Sequence, residues 1–280
     1  MQNIANTVTS ALTWAQAQGL ERIDAQWLLL HVLGQPDAGR AWLIAHGGDT
    51  LTGTLYEHFS ALCARRAADE PVAYLTGQKG FYGLNLQVDA RVLDPRPDTE
   101  TLVDWALERL AGHPAPRVLD LGTGSGAIAL ALAHARPDAT VLAVDASADA
   151  LAVARANAER LRLPVQFAQS DWFSAVPGPF DLIVSNPPYI AERDPHLPAL
   201  RHEPLAALVA GADGLRDLST IAAAAPTHLV PGGWLLLEHG WDQAEAVQTL
   251  LRTQGFEEVQ TRNDLAGIGR CSGARRPRVK

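Results

Sequence analysis

A stiff loop with two hydrogen-bond acceptors is the feature of this sequence that most clearly predicts chemistry. Asn186-Pro187-Pro188-Tyr189 follows the apolar run 180–184. Because proline lacks an N–H group and has a fixed φ, two successive prolines end a strand and hold the chain stiffly. The acceptors would be the side-chain oxygen of Asn186 and the backbone carbonyl of Pro187, beside the flat ring of Tyr189. The loop predicts a site for a planar NH2 group, in an amide or a nucleobase; a stiff turn capped by asparagine is the simpler alternative.

Methyl or other group transfer to an amide nitrogen needs such a site, because the nitrogen lone pair is delocalised into the carbonyl group. Acceptors that bind both N–H groups would favour a pyramidal nitrogen, and fixed acceptors stabilise the charge that develops on it. We predict catalytic roles for Asn186, Pro187 and Tyr189, and substrate contacts for these three residues and Pro188. No general base is required, since the product can lose its proton after transfer.

A glycine-rich loop lies earlier in the chain, between a strand-like segment that starts at Val118 and a helical run at 127–135. Glycines let the backbone turn sharply and let a ligand approach it closely, and the helix start offers free N–H groups. The candidate ligand-binding residues of this loop are Gly122, Thr123, Gly124, Ser125 and Gly126. The spacing of Gly122, Gly124 and Ala127 also fits the dinucleotide fingerprint, and a purely structural turn is a further alternative.

Two acids follow the next two predicted strands, 140–144 and 165–168. Asp145 lies about twenty residues after the glycine loop, where a carboxylate can accept hydrogen bonds from both ribose hydroxyls of a nucleoside. Asp171 can accept from an adenine amino group, and Trp172 can pack on the base. The alternatives are an N-cap role for Asp145 and ordinary core packing for Trp172. NAD and S-adenosylmethionine both contain the ribose that Asp145 would bind.

Alternating strands and helices from Arg117 onward must position these loops. Besides the segments above, the pattern predicts helices at 147–161, with Ser147 as N-cap, and at 243–254, and strands at 235–238 and 256–261. Such alternation is typical of an α/β fold, a Rossmann-like parallel sheet with helices on both faces. Ligands of these sheets bind beyond the carboxyl ends of the strands, where the glycine loop, the two acids and residues 186–189 would all lie.

The region before the sheet is predicted to be helical. Apolar residues at 25, 28, 29, 32 and 33, and again at 55, 59, 62 and 63, fall on one face of a helix. Leu84, Leu86 and Val88 alternate with polar residues and predict a β-hairpin linker. We therefore divide the chain into an N-terminal helical domain at 1–76, a linker at 77–112 and an α/β domain at 113–280. The helical domain would dock a substrate or serve as a structural cap.

Composition restricts the class of partner. The 280 residues carry a formal net charge of −8, whereas proteins that bind duplex DNA or membrane phosphate usually have a basic balance. Cys63 and Cys271 have no paired spacing, and the histidines show no metal-ligand spacing, so we predict no metal site. The start of the sequence shows no signal-peptide pattern and the apolar runs are short, so we expect a cytoplasmic protein that does not enter membranes. We also expect a monomer. The basic run 275–280 is predicted to be a solvated tail.

Several motifs together resemble the release-factor glutamine N5-methyltransferases (the HemK/PrmC family) of the class I methyltransferase fold. The motifs are Pro71-Val72-Ala73-Tyr74-Leu75-Thr76-Gly77, Phe81-Tyr82-Gly83-Leu84, Pro95-Arg96-Pro97-Asp98-Thr99-Glu100, the glycine loop, Asn186-Pro187-Pro188-Tyr189, Glu203-Pro204 and Leu237-Glu238-His239-Gly240. The resemblance implies that the glycine loop, Asp145, Asp171, Trp172 and Asn186 bind S-adenosylmethionine. It implies that residues 186–189 hold the glutamine of the Gly-Gly-Gln loop of peptide chain release factors.

Other functions stay open at this point. A sister family methylates a glutamine on a ribosomal protein, and residues 96–100 favour the release-factor type. Adenine N6 DNA methyltransferases use a similar Pro-Pro-Tyr loop, but they need a positive groove for a flipped base. An NAD-dependent dehydrogenase would leave residues 186–189 unexplained, and the intact cofactor and substrate motifs argue against a non-catalytic binding protein. Asp94 and Gly269 depart from the family pattern.

Overall fold

The structure, a computed structural model, describes residues 6–278 and has two compact units, Met1–Gln78 and Lys79–Lys280. The sequence-based division at residues 76 and 112 stays a prediction, and its residues 1–5 and 279–280 lie outside the described part. None of the helices in residues 6–278 is long and apolar enough to cross a membrane.

The first unit is a helical bundle. Its helices are α1 (Val8–Ala17), α2 (Arg22–Val32), α3 (Arg40–Ala45), α4 (Gly53–Ala67) and α5 (Val72–Thr76). The predicted apolar faces are confirmed, because Leu28 and Leu29 of α2 and Phe59 and Leu62 of α4 are buried in one core.

The second unit contains a seven-stranded sheet. The strands are β3 (Arg117–Leu121), β4 (Thr140–Asp145), β5 (Val165–Gln169), β6 (Phe180–Ser185), β7 (Leu229–Glu238), β8 (Glu257–Asn263) and β9 (Gly269–Arg275). Their order in the sheet is β5-β4-β3-β6-β7-β9-β8. The helices are α6 (Glu100–Leu110), α7 (Ala127–Ala135), α8 (Ala148–Leu161), α9 (Arg216–His228) and α10 (Ala244–Thr253). Strands β5, β4, β3, β6 and β7 are parallel, and β9 is antiparallel to both of its neighbours. The predicted α/β fold is confirmed.

A two-stranded hairpin, β1 (Gln78–Phe81) and β2 (Leu84–Gln87), precedes the large sheet. Its turn residues Tyr82 and Gly83 have φ values of 47° and 74°, as a type I′ hairpin turn requires. After this hairpin the chain forms a 3₁₀ turn at Pro97–Thr99 that leads into α6.

The basic run at the end of the chain is partly built into the sheet, so the predicted solvated tail is wrong for its first two residues. Arg275 pairs with Trp234 across β7 and β9, and the carbonyl of Arg276 accepts a hydrogen bond from Gly232 N at 3.0 Å. Strand β9 was not predicted from the sequence, because glycine, serine and alanine are weak strand formers. Gly273 is needed there, since a side chain would place its Cβ 2.8 Å from the Trp105 ring.

Candidate active site

The three predicted loops meet at one edge of the sheet. Leu121 at the end of β3 pairs with Val144 of β4 on one side and with Ser185 of β6 on the other. The Ser185 hydroxyl donates a hydrogen bond of 2.7 Å to the Leu121 carbonyl, which ties two of these strand ends together. The loops after β3, β4 and β6 therefore start side by side.

A cavity of about 380 Å³ lies at this edge. Of the residues predicted for the site, those that line the cavity are Gly122, Thr123, Gly124, Ser125, Asp145, Asp171, Trp172, Asn186 and Pro188. Gly126, Pro187 and Tyr189 do not line it. Within residues 6–278 no group of three or more His, Cys, Asp or Glu side chains is arranged to hold a metal ion.

The glycine loop needs its glycines for space as well as for backbone conformation. Gly122 has a φ of +69°, and its missing side chain leaves room for the Trp172 ring, which lies 3.4 Å from the Cβ position. At Gly126, with a φ of +86°, a Cβ would lie 3.0 Å from Leu130 Cδ1 and 3.2 Å from Ala154 Cβ. Because these two atoms belong to α7 and α8, Gly126 allows the loop to pass close to both helices.

Asp145 organises the glycine loop from the neighbouring strand. Its carboxylate accepts hydrogen bonds of 2.9 Å from Gly124 N and from Ser147 N. Burial raises the pKa of Asp145, and the backbone hydrogen bonds oppose this effect. The N-cap of α8 is Ser147, whose hydroxyl accepts from Ala150 N at 3.1 Å, so Asp145 is not needed for that role.

The carboxyl of Asp120 also stabilises the glycine loop by hydrogen bonding, a role that the sequence analysis did not assign. Its fully buried carboxyl accepts hydrogen bonds from the Thr123 hydroxyl at 2.6 Å and from Ala129 N at 3.2 Å. Burial raises the pKa of Asp120 to about 7. Its position directly after a buried strand was visible in the sequence, but the partners of its carboxyl were not.

The Asn-Pro-Pro-Tyr loop contains an acceptor that has no partner. The Asn186 Nδ2 group donates to the Thr99 hydroxyl oxygen at 3.2 Å, whereas Asn186 Oδ1 is buried and accepts no hydrogen bond. Such an atom costs about 1–3 kcal/mol relative to a satisfied one and therefore needs an explanation.

Tyr189 faces the protein core rather than the cavity. It packs against the core cluster of the sheet, and its hydroxyl lies 3.4 Å from Glu238 Oε1. Its backbone carbonyl accepts from Gln243 Nε2 at 3.0 Å. These two contacts hold the end of the loop in place.

Glu238 is a fully buried acid beside this loop, and sequence analysis gave it no role. Burial raises its pKa to about 7, while hydrogen bonding with Thr99 and the positive charge of Arg270 oppose the shift. Its second oxygen, Oε2, has no hydrogen-bond partner. The available signal was its place in the motif Leu237-Glu238-His239-Gly240.

A charged network fixes the segment that leads to Thr99. The Arg96 guanidinium forms an ion pair with Glu203, whose Oε2 also accepts a hydrogen bond of 3.2 Å from Asp94 N. The Asp94 carboxylate in turn lies 3.0 Å from Lys79 Nζ. Asp94, one of the two departures from the family pattern, is thus paired with a cation, and the Glu203-Pro204 motif serves as an anchor for this segment.

The fold and the cavity at its strand ends define the class of the protein, which comparison with known families confirms. Residues 99–205 match the family described as Methyltransferase small domain, and residues 7–77 match the PrmC N-terminal domain. The chain is a methyltransferase.

Close relatives identify the family within that class. The chain is 53% identical over 272 residues to the release factor glutamine methyltransferase of Xylella fastidiosa strain Temecula1, covering 94% of this chain and 98% of the relative. The protein of that name from Escherichia coli K12 is 48% identical, over 91% of this chain and 92% of its own length. The chain therefore belongs to the release factor glutamine methyltransferase family.

Solved structures confirm the fold. A methyltransferase from Pyrococcus furiosus superimposes with a TM-score of 0.56 at 19% identity, covering 78% of this chain and 99% of that one. The T. thermophilus 16S rRNA N2 methyltransferase, solved with AdoMet and guanosine, superimposes with a TM-score of 0.54 at 24% identity and covers 71% of this chain and 49% of that one.

Proposed function

We propose that the protein transfers a methyl group from S-adenosylmethionine to the side-chain amide nitrogen, N5, of the glutamine in the Gly-Gly-Gln motif of peptide chain release factors. The curated relatives carry the name release factor glutamine methyltransferase. The observation that carries the proposal is the buried Asn186 Oδ1, an acceptor without a partner in a residue that lines the cavity. A substrate carboxamide provides the N–H donor that this oxygen lacks.

The second acceptor of the proposed site is the Pro187 carbonyl. One N–H of the substrate amide donates to Asn186 Oδ1 and the other to Pro187 O, which leaves the nitrogen lone pair free to attack. Since Asn186 Oδ1 is closed to water, the incoming side chain must open a path to it. The proton that the methylated nitrogen carries can then leave to solvent, so no buried base has to accept it.

The cavity residues suit S-adenosylmethionine, which supplies an electrophilic methyl group when it is bound. The Asp145 carboxylate would accept from the ribose hydroxyls, and Asp171 would accept from the adenine amino group. Trp172 would pack on the base, and the loop at 122–126 would follow the rest of the cofactor. The fit rests on the donor and acceptor chemistry of the residues that line the cavity.

The test is methyl transfer to purified release factor, followed by mass spectrometry of its peptides. We expect a gain of one methyl group on the Gly-Gly-Gln peptide, and none when its glutamine is replaced. Transfer to a ribosomal protein or to duplex DNA, with none to release factor, would support the sister family or the adenine N6 alternative instead. A substrate in the translation machinery implies a cytoplasmic reaction, and the expected monomeric state and lack of DNA binding remain parts of this proposal.

A further inference from the structure

The proposed binding of the substrate amide by Asn186 Oδ1 and Pro187 O requires one of the two orientations of the Asn186 side chain. Rotation of an asparagine amide by half a turn exchanges its oxygen with its NH2 group. With the oxygen presented, the loop accepts from a substrate NH2 group; with the NH2 presented, two donors would face each other. Some group in the protein must therefore select the productive orientation.

The Thr99 hydroxyl contacts the Asn186 amide from the side opposite to its unpaired oxygen. Thr99 Oγ1 accepts from Asn186 Nδ2 at 3.2 Å, and Thr99 is only 4% exposed. Thr99 also lies close enough to the buried carboxyl of Glu238 to lower the pKa of that group. Thr99 thus lies between the amide of Asn186 and the carboxyl of Glu238.

The hydroxyl oxygen of Thr99 is the acceptor in this contact. A hydroxyl oxygen can accept a hydrogen bond from an amide NH2 group. Because Thr99 Oγ1 accepts from Asn186 Nδ2, the amide presents Oδ1 to the other side. In the reverse orientation the Thr99 hydroxyl would have to turn and donate to Asn186 Oδ1, and Nδ2 would face the substrate.

The surroundings keep Thr99 in place. Thr99 N donates to the Arg96 carbonyl at 3.1 Å, and the Arg96 side chain is anchored on Glu203. The backbone of Thr99 is therefore fixed by a hydrogen bond to a residue that is itself held by an ion pair.

We propose that Thr99 is a positioning residue that fixes the Asn186 amide with Oδ1 turned toward the substrate. The proposal rests on the proposed function, since it explains how the loop comes to bind an NH2 group. It assigns the shape of the site to a residue that need not touch the reacting atoms.

The test compares Thr99→Val, which keeps the shape of the side chain and removes the hydroxyl, with Thr99→Ser, which keeps the hydroxyl. Thr101→Val, outside the cavity lining, is the matched control. We expect Thr99→Val to lower kcat by up to about 10²-fold, as a misplaced catalytic group does, with an unchanged Kd for S-adenosylmethionine. Thr99→Ser restores most of the turnover. Wild-type kcat and KM in Thr99→Val would overturn the proposal, and so would equal losses in the valine and serine variants.

A second measurement needs no substrate and separates this proposal from the proposed function. The side-chain NH2 protons of Asn186, assigned by their absence in Asn186→Ala, should exchange slowly with water in the wild type and in Thr99→Ser. They should exchange faster in Thr99→Val, because their acceptor is gone. Equal exchange in the valine variant and the wild type would overturn the role of Thr99 whatever the substrate is. Failure of the wild type to methylate release factor, with the exchange pattern as expected, would count against the proposed function alone.

Discussion

The glycine loop and the Asn-Pro-Pro-Tyr loop lie side by side at the same sheet edge, but they are held in different ways. The glycine loop is braced from within: the carboxylates of Asp120 and Asp145 accept four hydrogen bonds from its residues and from the helix starts beside it. The Asn-Pro-Pro-Tyr loop is stiff because of its prolines, and its Asn186 keeps one buried acceptor unused.

This difference indicates a division of labour between the two loops. Folding alone gives the backbone of the glycine loop its hydrogen bonds, which suits a site that binds the same cofactor in every cycle, and its one unpaired buried acceptor, Asp120 Oδ1, does not line the cavity. The other loop is incomplete until a donor arrives, so part of the free energy spent on burying Asn186 Oδ1 is recovered only when an amide binds. Four substitutions test this comparison.

The largest effect is expected for Asn186→Ala. Removal of a fixed polar group that stabilises developing charge costs about 10²–10³-fold in kcat, so turnover should fall to that extent. Much of the affinity for S-adenosylmethionine should remain, because most of the cavity lining is unchanged. Methylation rates and calorimetry with the cofactor measure the two quantities. Turnover near that of the wild type would contradict the proposed difference between the two loops, because Asn186 would then not be needed for catalysis.

Replacing Asp145 with alanine should have the opposite pattern. Loss of hydrogen bonds to a charged group should weaken cofactor binding about ten- to hundredfold, while saturating cofactor recovers much of the turnover. Asp149→Ala, at an exposed position on α8, is the control. A wild-type Kd in the Asp145 variant, measured by calorimetry, would show that this carboxylate stabilises the glycine loop but does not bind the cofactor.

Gly126→Ala probes the packing of the glycine loop. Its Cβ would press on Leu130 and Ala154 and would strain a backbone with positive φ, so the variant should lose about 1–3 kcal/mol of stability. The midpoint of urea unfolding measures the loss. Pro188→Ala is the comparison from the other loop, and it should change this midpoint less. The opposite ranking would mean that the Asn-Pro-Pro-Tyr loop is the more tightly packed of the two.

The smallest expected effect concerns Glu238 and pH. Its folded pKa of about 7 lies above its ordinary value of 4.5, so the folded state favours the neutral carboxyl. This contribution to stability is fully present below pH 4.5 and is lost as the pH rises through 7. Glu238→Gln should therefore show a smaller fall in melting temperature between pH 5 and pH 7.5 than the wild type. Parallel curves would mean that Glu238 titrates as it does in the unfolded chain.

Most strands of the sheet could be predicted from the sequence, because each apolar segment ends where the glycine, proline or acidic residues of a loop begin. The helix beginning after Ser147 is confirmed, with that residue as N-cap, and the glycine loop lies between β3 and α7 as expected. Helix α9 was missed because Pro226 lies inside it; the buried face that includes Leu218 and Ile221 offsets the cost of that proline.

Contacts between distant residues could not be predicted from patterns. Thr99 lies 87 residues before Asn186, and nothing in the local spacing connects them. The same holds for Glu238, whose importance depends on complete burial beside Tyr189. Residue type at a strand end indicated where ligands bind, but the partners of each polar atom required the fold.

The most direct test is a crystal structure of the enzyme with S-adenosylhomocysteine and a peptide that contains Gly-Gly-Gln. We expect the glutamine side-chain nitrogen to lie within hydrogen-bond distance of both Asn186 Oδ1 and Pro187 O, with Asn186 Nδ2 still bonded to Thr99. A peptide bound with its glutamine away from this loop, and with Asn186 Oδ1 still unpaired, would contradict this expectation.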